Sequence, residues 1–417
     1  MIYLLGRAFA QRRSLGHTPN GLPNASFQLC DICQLLEYFP KEIEMKLHFR
    51  TLLAFAAVLS VLLPCALQAQ QYVYANNDDD SGGDHNLVTA FKVSNTGQMS
   101  LISTYPTGGL GTGGFNAENT IVAAKVGSND CLFVSNGGSN NVSAFTLDPT
   151  NGSLTAVSGS PFASGGQGDN YGIGLAVADN KLLFAGNTVS GNISVFIIKS
   201  NCALKLGNSY NVPGSPDGMK VTPNGKFLIE ANLGNPDSWQ INSNGTLTEL
   251  GPFTSHGATA GVDLSCDGTT AYFGDAGTNT EVEVYSISAT GQLTEINDYT
   301  NTNGQNSNNV MLSADGELLY VSETASNQVE TLTTGANGAL TFDSVVSLNV
   351  MQFNSTLGMA TVQSGKGIFV AEDGPAQIAV LGAHGTSLKE VANSPFSLND
   401  NFAFVIAITA VPGKSCH

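Results

Sequence analysis

Along the chain, short apolar runs alternate with clusters of Asn, Gly, Ser and Asp, and helical spacing of apolar residues is nearly absent. Residues 131–155, CLFVSNGGSNNVSAFTLDPTNGSLT, show the unit. Leu132, Phe133 and Val134 form an apolar run, and residues 136–140 are turn material. Residues 142–147 then alternate with period two, Asn151-Gly152 marks a hairpin turn, and Ser153-Leu154-Thr155 opens a further strand.

The same unit recurs. Apolar triplets centred on Tyr74, Phe133, Phe184, Ile229, Phe273, Tyr320 and Phe369 are separated by 59, 51, 45, 44, 47 and 49 residues. Four strands of about six residues with connections of about five occupy roughly 44. The period therefore predicts an all-β fold, a seven-bladed β-propeller with four-stranded antiparallel blades. In each unit an inner strand leads through a tight turn, such as Pro223-Asn224-Gly225, to the triplet. An alternating third strand and a Gly turn into the outer strand follow. The first unit lacks an inner strand, while residues 404–409 form a strand without a partner. Their union would close the ring and remove its exposed edges. A β-sandwich or an open solenoid are the alternatives.

The N-terminal region reads differently. Basic residues 46–50, the apolar run 52–63 and a small-residue exit ending at Ala69 match a secretory signal peptide over 45–69. Residues 1–44 precede it and are read as leader, with Met45 as the start, so the Cys30–Cys33 pair carries no weight. Residues 70–417 form the single propeller domain in this reading. They hold 29 acidic and 10 basic side chains, all ten lysines, for a formal charge of −19. Such a surface excludes nucleic acid as a partner. A secreted or periplasmic monomer with no membrane span after signal cleavage is expected. In an oxidising compartment Cys131, Cys202, Cys266 and Cys416 allow three pairings, and Cys131 with Cys202, from neighbouring units, is the favoured one.

Residues 224–232, NGKFLIEAN, the flanking Asp-Gly turns and the Thr-Gly-Gln-Leu-Thr outer strand resemble secreted bacterial seven-bladed propellers of the lactonase-like family, which includes 6-phosphogluconolactonase-like enzymes and is similar to YVTN repeats. The resemblance covers residues 72–412 and implies a lactone hydrolase or a binding propeller. The family's enzymes carry Pro-Arg-His before the inner strand of a middle blade and Asn-Glu after its second strand. Aligned on Pro223, the proline is Pro216, but Asp217 and Gly218 take the places of arginine and histidine. Asn232 matches the asparagine and Leu233 replaces the glutamate. Lys220 is the cation nearest this spot, and strand alternation turns it into the blade.

The residues after the triplets line up as Asn77, Asn136, Asn187, Asn232, Ala276, Glu323 and Glu372. With Asn309, these amides are ligand-binding candidates suited to a neutral carbohydrate or a protein partner at the channel face. The alternative is that they hold turns through their side chains. His256, in an interblade loop, is the candidate general base for an uncharged lactone, with Glu323 or Glu372 as partner. Asp78, Asp80 and Asp84 form the densest carboxylate cluster and are candidate Ca²⁺ ligands, although the loop lacks a closing glutamate. No other cofactor is implied.

Overall fold

The computed structural model describes residues 70–414 except 82–84, 115–116, 276–280, 301–305, 349–355, 364, 366, 373–375, 401–403 and 406. The expectations for residues 1–69, Asp84, Ala276 and Cys416 lie outside the described residues. The strands assemble into seven antiparallel sheets in ring order, each built on four strands, and two of them add a short fifth. The second blade is representative. Its inner strand Ile121–Val126 pairs with Asn129–Asn136, which pairs with Asn141–Leu147, which in turn pairs with the outer strand Leu154–Ala156. Gly152 makes the last turn with a positive φ of 76°, a conformation that glycine adopts without steric cost.

Blade 1 is closed by the chain's other end. Its strand Gln71–Asn76 pairs with Leu87–Val93 on one side and with Ala407–Val411 on the other. Tyr72 lies opposite Val411, Tyr74 opposite Thr409 and Asn76 opposite Ala407. The closing strand begins three residues later than the apolar run suggested and extends to Val411. Its limits follow the partner strand rather than its own hydrophobicity, and Phe404 still donates its backbone N–H to the Asn77 carbonyl at 2.8 Å. Among the described residues, no helix is long and apolar enough to cross a membrane.

Packing follows from alternation. Each sheet sends one set of side chains to the preceding blade and the other to the next, so the core is divided among the interfaces. Seven apolar clusters fill them. Val73 and Phe91 of blade 1 meet Phe369 and Val380 of blade 7. Tyr72 and Tyr74 meet Leu132 and Val134 of blade 2 across their opposite face. Phe133 of blade 2, fully buried, packs with Leu183 and Phe196 of blade 3. The same interface carries the Cys131–Cys202 disulfide, with Cα atoms 5.6 Å apart. Cys266 is also disulfide-bonded.

Hydrogen bonds also cross the interfaces. The buried Tyr74 hydroxyl donates to the Gly152 carbonyl at 2.9 Å. Phe133→Ala is therefore expected to cost about 3–5 kcal/mol of stability, whereas Tyr74→Phe, which removes one buried hydrogen bond, costs about 1 kcal/mol. Urea denaturation of both variants tests this order. Equal midpoints would contradict the division between apolar and polar contributions at the interfaces.

Candidate functional site

The ring surrounds a channel whose walls are the seven inner strands. At its upper end, where the second strands finish, residues from blades 2, 4 and 6 meet. Glu118 lies just before the inner strand of blade 2 and donates its backbone N–H to Asp217 Oδ1 at 2.6 Å. Asn309, on the inner strand Ser307–Leu312 of blade 6, donates its side-chain amide to Glu118 Oε2. All three are buried. The group therefore links three separate walls of the channel near its upper end.

The backbone explains why these residues meet there. The inner strand Pro216–Val221 of blade 4 pairs irregularly between Pro216 and Met219, and the inner strands of blades 5, 6 and 7 share that irregularity. Such bulges re-aim the residues beside them. Two residues beyond the first pair of each strand stand Gly218, Gly261, Asn309 and Gly358. A Cβ added to Gly218 would lie 2.4 Å from the Ala260 carbonyl oxygen of blade 5. No side chain fits there. Of these four positions, the one in blade 6 carries a side chain, Asn309.

Burial opposes ionisation of both carboxyls. It raises Glu118 well above the usual range, and the neighbouring Asp217 raises it further, while the Asn309 hydrogen bond and Lys220 lower it. Burial lifts Asp217 to about 7 against the opposing Glu118 N–H hydrogen bond. Lower in the channel the balance reverses. Burial pushes the Asp263 pKa upwards, but the ammonium groups of Lys414 and Lys220 outweigh it and leave it lowered. Lys414 Nζ lies 2.6 Å from Asp263 Oδ2 and donates to the Leu312 carbonyl at 3.2 Å. The segment after the closing strand thus ties blade 1 to blades 5 and 6.

The amide and carboxylate circle is present, with two changes of register. The second strands end at Asn76, Asn136, Asn187, Asn232, Asp275, Glu323 and Glu372. Asn76 and Asp275 take the places read as Asn77 and Ala276. All seven are buried. Their described contacts are internal: Asn76 donates to Thr120 Oγ1 at 3.0 Å, and Asn232 Oδ1 accepts the Ser215 N–H at 2.6 Å. Asp275 Oδ1 accepts the Ala258 N–H at 3.0 Å, and Glu372 Oε2 accepts from Gln377 at 2.7 Å. Asn136 and Asn187 donate to Ser143 and Ser194 of their own blades. Asn77 is buried too, bound to Asp400 and Thr89. These side chains fasten loops and strand ends, as amides and carboxylates do where a backbone would otherwise lose its partners.

His256 stands apart from the channel group. Its backbone N–H donates to Glu283 Oε1 at 3.0 Å, and its half-exposed ring lies 3.5 Å from Glu295 on the outer strand Leu293–Thr300. Both carboxylates belong to its own blade. The described hydrogen bond of Glu323 is to Ser307. In the acidic loop Asp78 Oδ2 accepts from Thr112, and Asp79 Oδ1 accepts the Ser81 N–H at 2.7 Å. The glycine-rich loop backs this segment, with Gly111 and Gly113 N–H groups donating to the carbonyls of Asp79 and Asp78. Asp80 is exposed.

Sequence reading passed over Glu118, because it ends a glycine-rich loop and its partners lie 99 and 191 residues away. A solitary carboxylate directly before an inner strand was the available signal. The unusual third strand of blade 4, Asp237–Ile241, also has its reason: the Trp239 indole donates to the buried Glu230 at 2.8 Å.

A pH dependence follows. Unfolded Asp and Glu ionise near pH 4, whereas burial lifts folded Asp217 and Asp237 to about 7 and Glu372 to about 8. Between these values the folded chain binds more protons than the unfolded one, so the contribution is full at low pH and is lost as pH rises towards 8. Asp263 acts in the opposite window, its contribution being lost only as pH falls below the unfolded value. Melting temperature is expected to fall from pH 5 to pH 8, with a shallower slope in Asp217→Asn. A profile that is flat or rises would contradict this.

A family model described as Lactonase, 7-bladed beta-propeller, matches residues 127–235 and 235–350. No curated protein matches the chain. Among solved structures, a candidate 6-phosphogluconolactonase from Bacteroides fragilis is similar at 20% identity and a TM-score of 0.68, covering 83% of this chain and 99% of that one. One from Bacteroides uniformis is 14% identical with a TM-score of 0.67, covering 82% and 100%. The periplasmic gluconolactonase of Pseudomonas aeruginosa is 14% identical with a TM-score of 0.61, covering 82% and 99%. At these identities the likeness is one of fold.

Proposed function

The chain belongs to the seven-bladed β-propeller lactonase family, and from that premise we propose that it is an extracytoplasmic binding propeller for a neutral glycan or a protein partner, without hydrolysis of phosphorylated lactones. The observation that carries this reading is the upper end of the blade 4 inner strand. A buried carboxyl, Asp217, stands where the resembling enzymes carry a cationic arginine. Gly218 stands at the histidine position, packed on the Ala260 carbonyl with no room for a ring. A phosphate needs cations or a fork of N–H donors, and no arginine follows Arg50.

The upper loops of blades 3 and 4 instead offer apolar contact. Tyr171, Val189 and Leu233 are 57%, 44% and 41% exposed. They sit beside one hydrogen-bond group: Thr188 Oγ1 donates to the carbonyls of Gly172 and Pro216, and Asn232 holds Ser215. An exposed aromatic ring with aliphatic neighbours suits the face of a sugar or an apolar protein side chain. The Cys131–Cys202 disulfide supports an oxidising compartment, and the similar Pseudomonas gluconolactonase is periplasmic.

A second reading is hydrolysis of an uncharged lactone, favoured by Asp217 being held near neutral pH, the range in which a general base is most effective. Proton transfer would then fall to Asp217 and Glu118, not to His256. A panel containing 6-phosphogluconolactone and glucono-1,5-lactone separates the readings. No acceleration over spontaneous hydrolysis is expected, together with retention on neutral polysaccharide or partner that Tyr171→Ala weakens about tenfold. Turnover of the uncharged lactone that is lost in Asp217→Asn would favour the second reading. Turnover of the phosphorylated lactone would overturn the first.

A further inference from the structure

Below the Glu118–Asp217–Asn309 group the channel opens into a cavity of about 510 Å³. The inner strands of blades 2, 3 and 4 and the closing strand form its walls. Its volume lies in the range of small-molecule sites. Val122, Leu175 and Val177 supply apolar wall, and three lysines, Lys125, Lys220 and Lys414, line the same space. This is a high share of the ten lysines in a segment with 29 acidic residues.

The three are not equivalent. Lys125 is paired with Asp130 at 3.0 Å, and Lys414 with Asp263 at 2.6 Å. Lys220, half-buried, makes no hydrogen bond or ion pair among the described residues. Its charge acts at a distance on Asp263 and Glu118. Three ammonium groups against Asp130 and Asp263 leave one positive charge uncompensated, held between low-dielectric walls that strengthen its field. Burial raises the pKa of Glu118, above it, well beyond the usual range and so weakens its opposition to that charge.

We propose that this cavity is a binding site for a small organic monocarboxylate, with the Lys220 ammonium as the counter-charge and the apolar walls holding the carbon skeleton. A single surplus charge matches a monoanion better than a phosphate dianion, and no guanidinium fork is present to hold phosphate bidentately. The site opens on the lower half of the channel, away from the upper loops of blades 3 and 4, and does not depend on what those loops bind.

Gluconate and butyrate, titrated calorimetrically into the full-length protein at pH 7, test the proposal, with sorbitol as the neutral control and inorganic phosphate as the dianion. The expected result is saturable binding of at least one carboxylate, none of sorbitol, and loss of at least tenfold in affinity in Lys220→Met with recovery in Lys220→Arg. In the unaltered protein the bound carboxylate should also slow reductive methylation of Lys220, read by mass spectrometry, which keeps the test decisive if Lys220→Met misfolds. Absence of carboxylate binding, binding indifferent to Lys220, unchanged Lys220 labelling, or tighter binding of phosphate would each overturn it.

Discussion

The pairing of Ala407–Val411 with Gln71–Asn76 is the constraint on which the molecule depends. Without it blade 1 would present an open edge, and the seventh interface, where Val73 and Phe91 meet Phe369 and Val380, would have nothing to hold its two halves in register. Each of the other interfaces joins blades adjacent in sequence. The closing one joins the two ends of the domain, so it converts a chain of sheets into a ring. The channel is a consequence of that closure. Glu118, Asp217 and Asn309 come from three separate blades and meet only because the ring fixes the distance across it.

Much of the architecture was legible because it is local. The apolar triplets, the Gly turns and the alternating third strands each report a decision made within a few residues, and their repetition gives the blade number. What escaped was set by irregularities and distance. The bulges in the inner strands break the period-two count between Pro216 and Met219, so alternation turned Lys220 into the blade, whereas it lines the channel cavity. The second strand of blade 1 stops at Asn76 rather than Asn77, and two consecutive asparagines gave no means to tell them apart. The polar circle itself was visible, but not which way it faced. Residue type alone does not distinguish an amide offered to a ligand from one spent on a loop; in the structure the Asn136 and Asn187 amide N–H groups donate to serines of their own blades.

Charge organises the interior in two layers. In the upper channel group burial opposes ionisation, lifting Asp217 to about 7 and raising Glu118 well above its usual range, with Asp217 raising Glu118 further. Such a pair is tolerable because protonation removes the cost of burying both charges. The lower layer is ionic, with Lys414 compensating Asp263 while tethering the tail beyond the closing strand. The family's fold is retained, and one buried hydrogen-bonded group of Glu118, Asp217 and Asn309 crosses its upper channel.

The ring-closure account is tested most directly by native-state amide hydrogen exchange. It predicts that the amides of residues 72–76 and 407–411 that take part in the shared ladder exchange only through global unfolding, with the same free energy as the second strands of blades 2 to 6. Exchange of 407–411 through a separate opening, orders of magnitude faster while the other blades stay protected, would show that the ring stands without its clasp and would contradict the account.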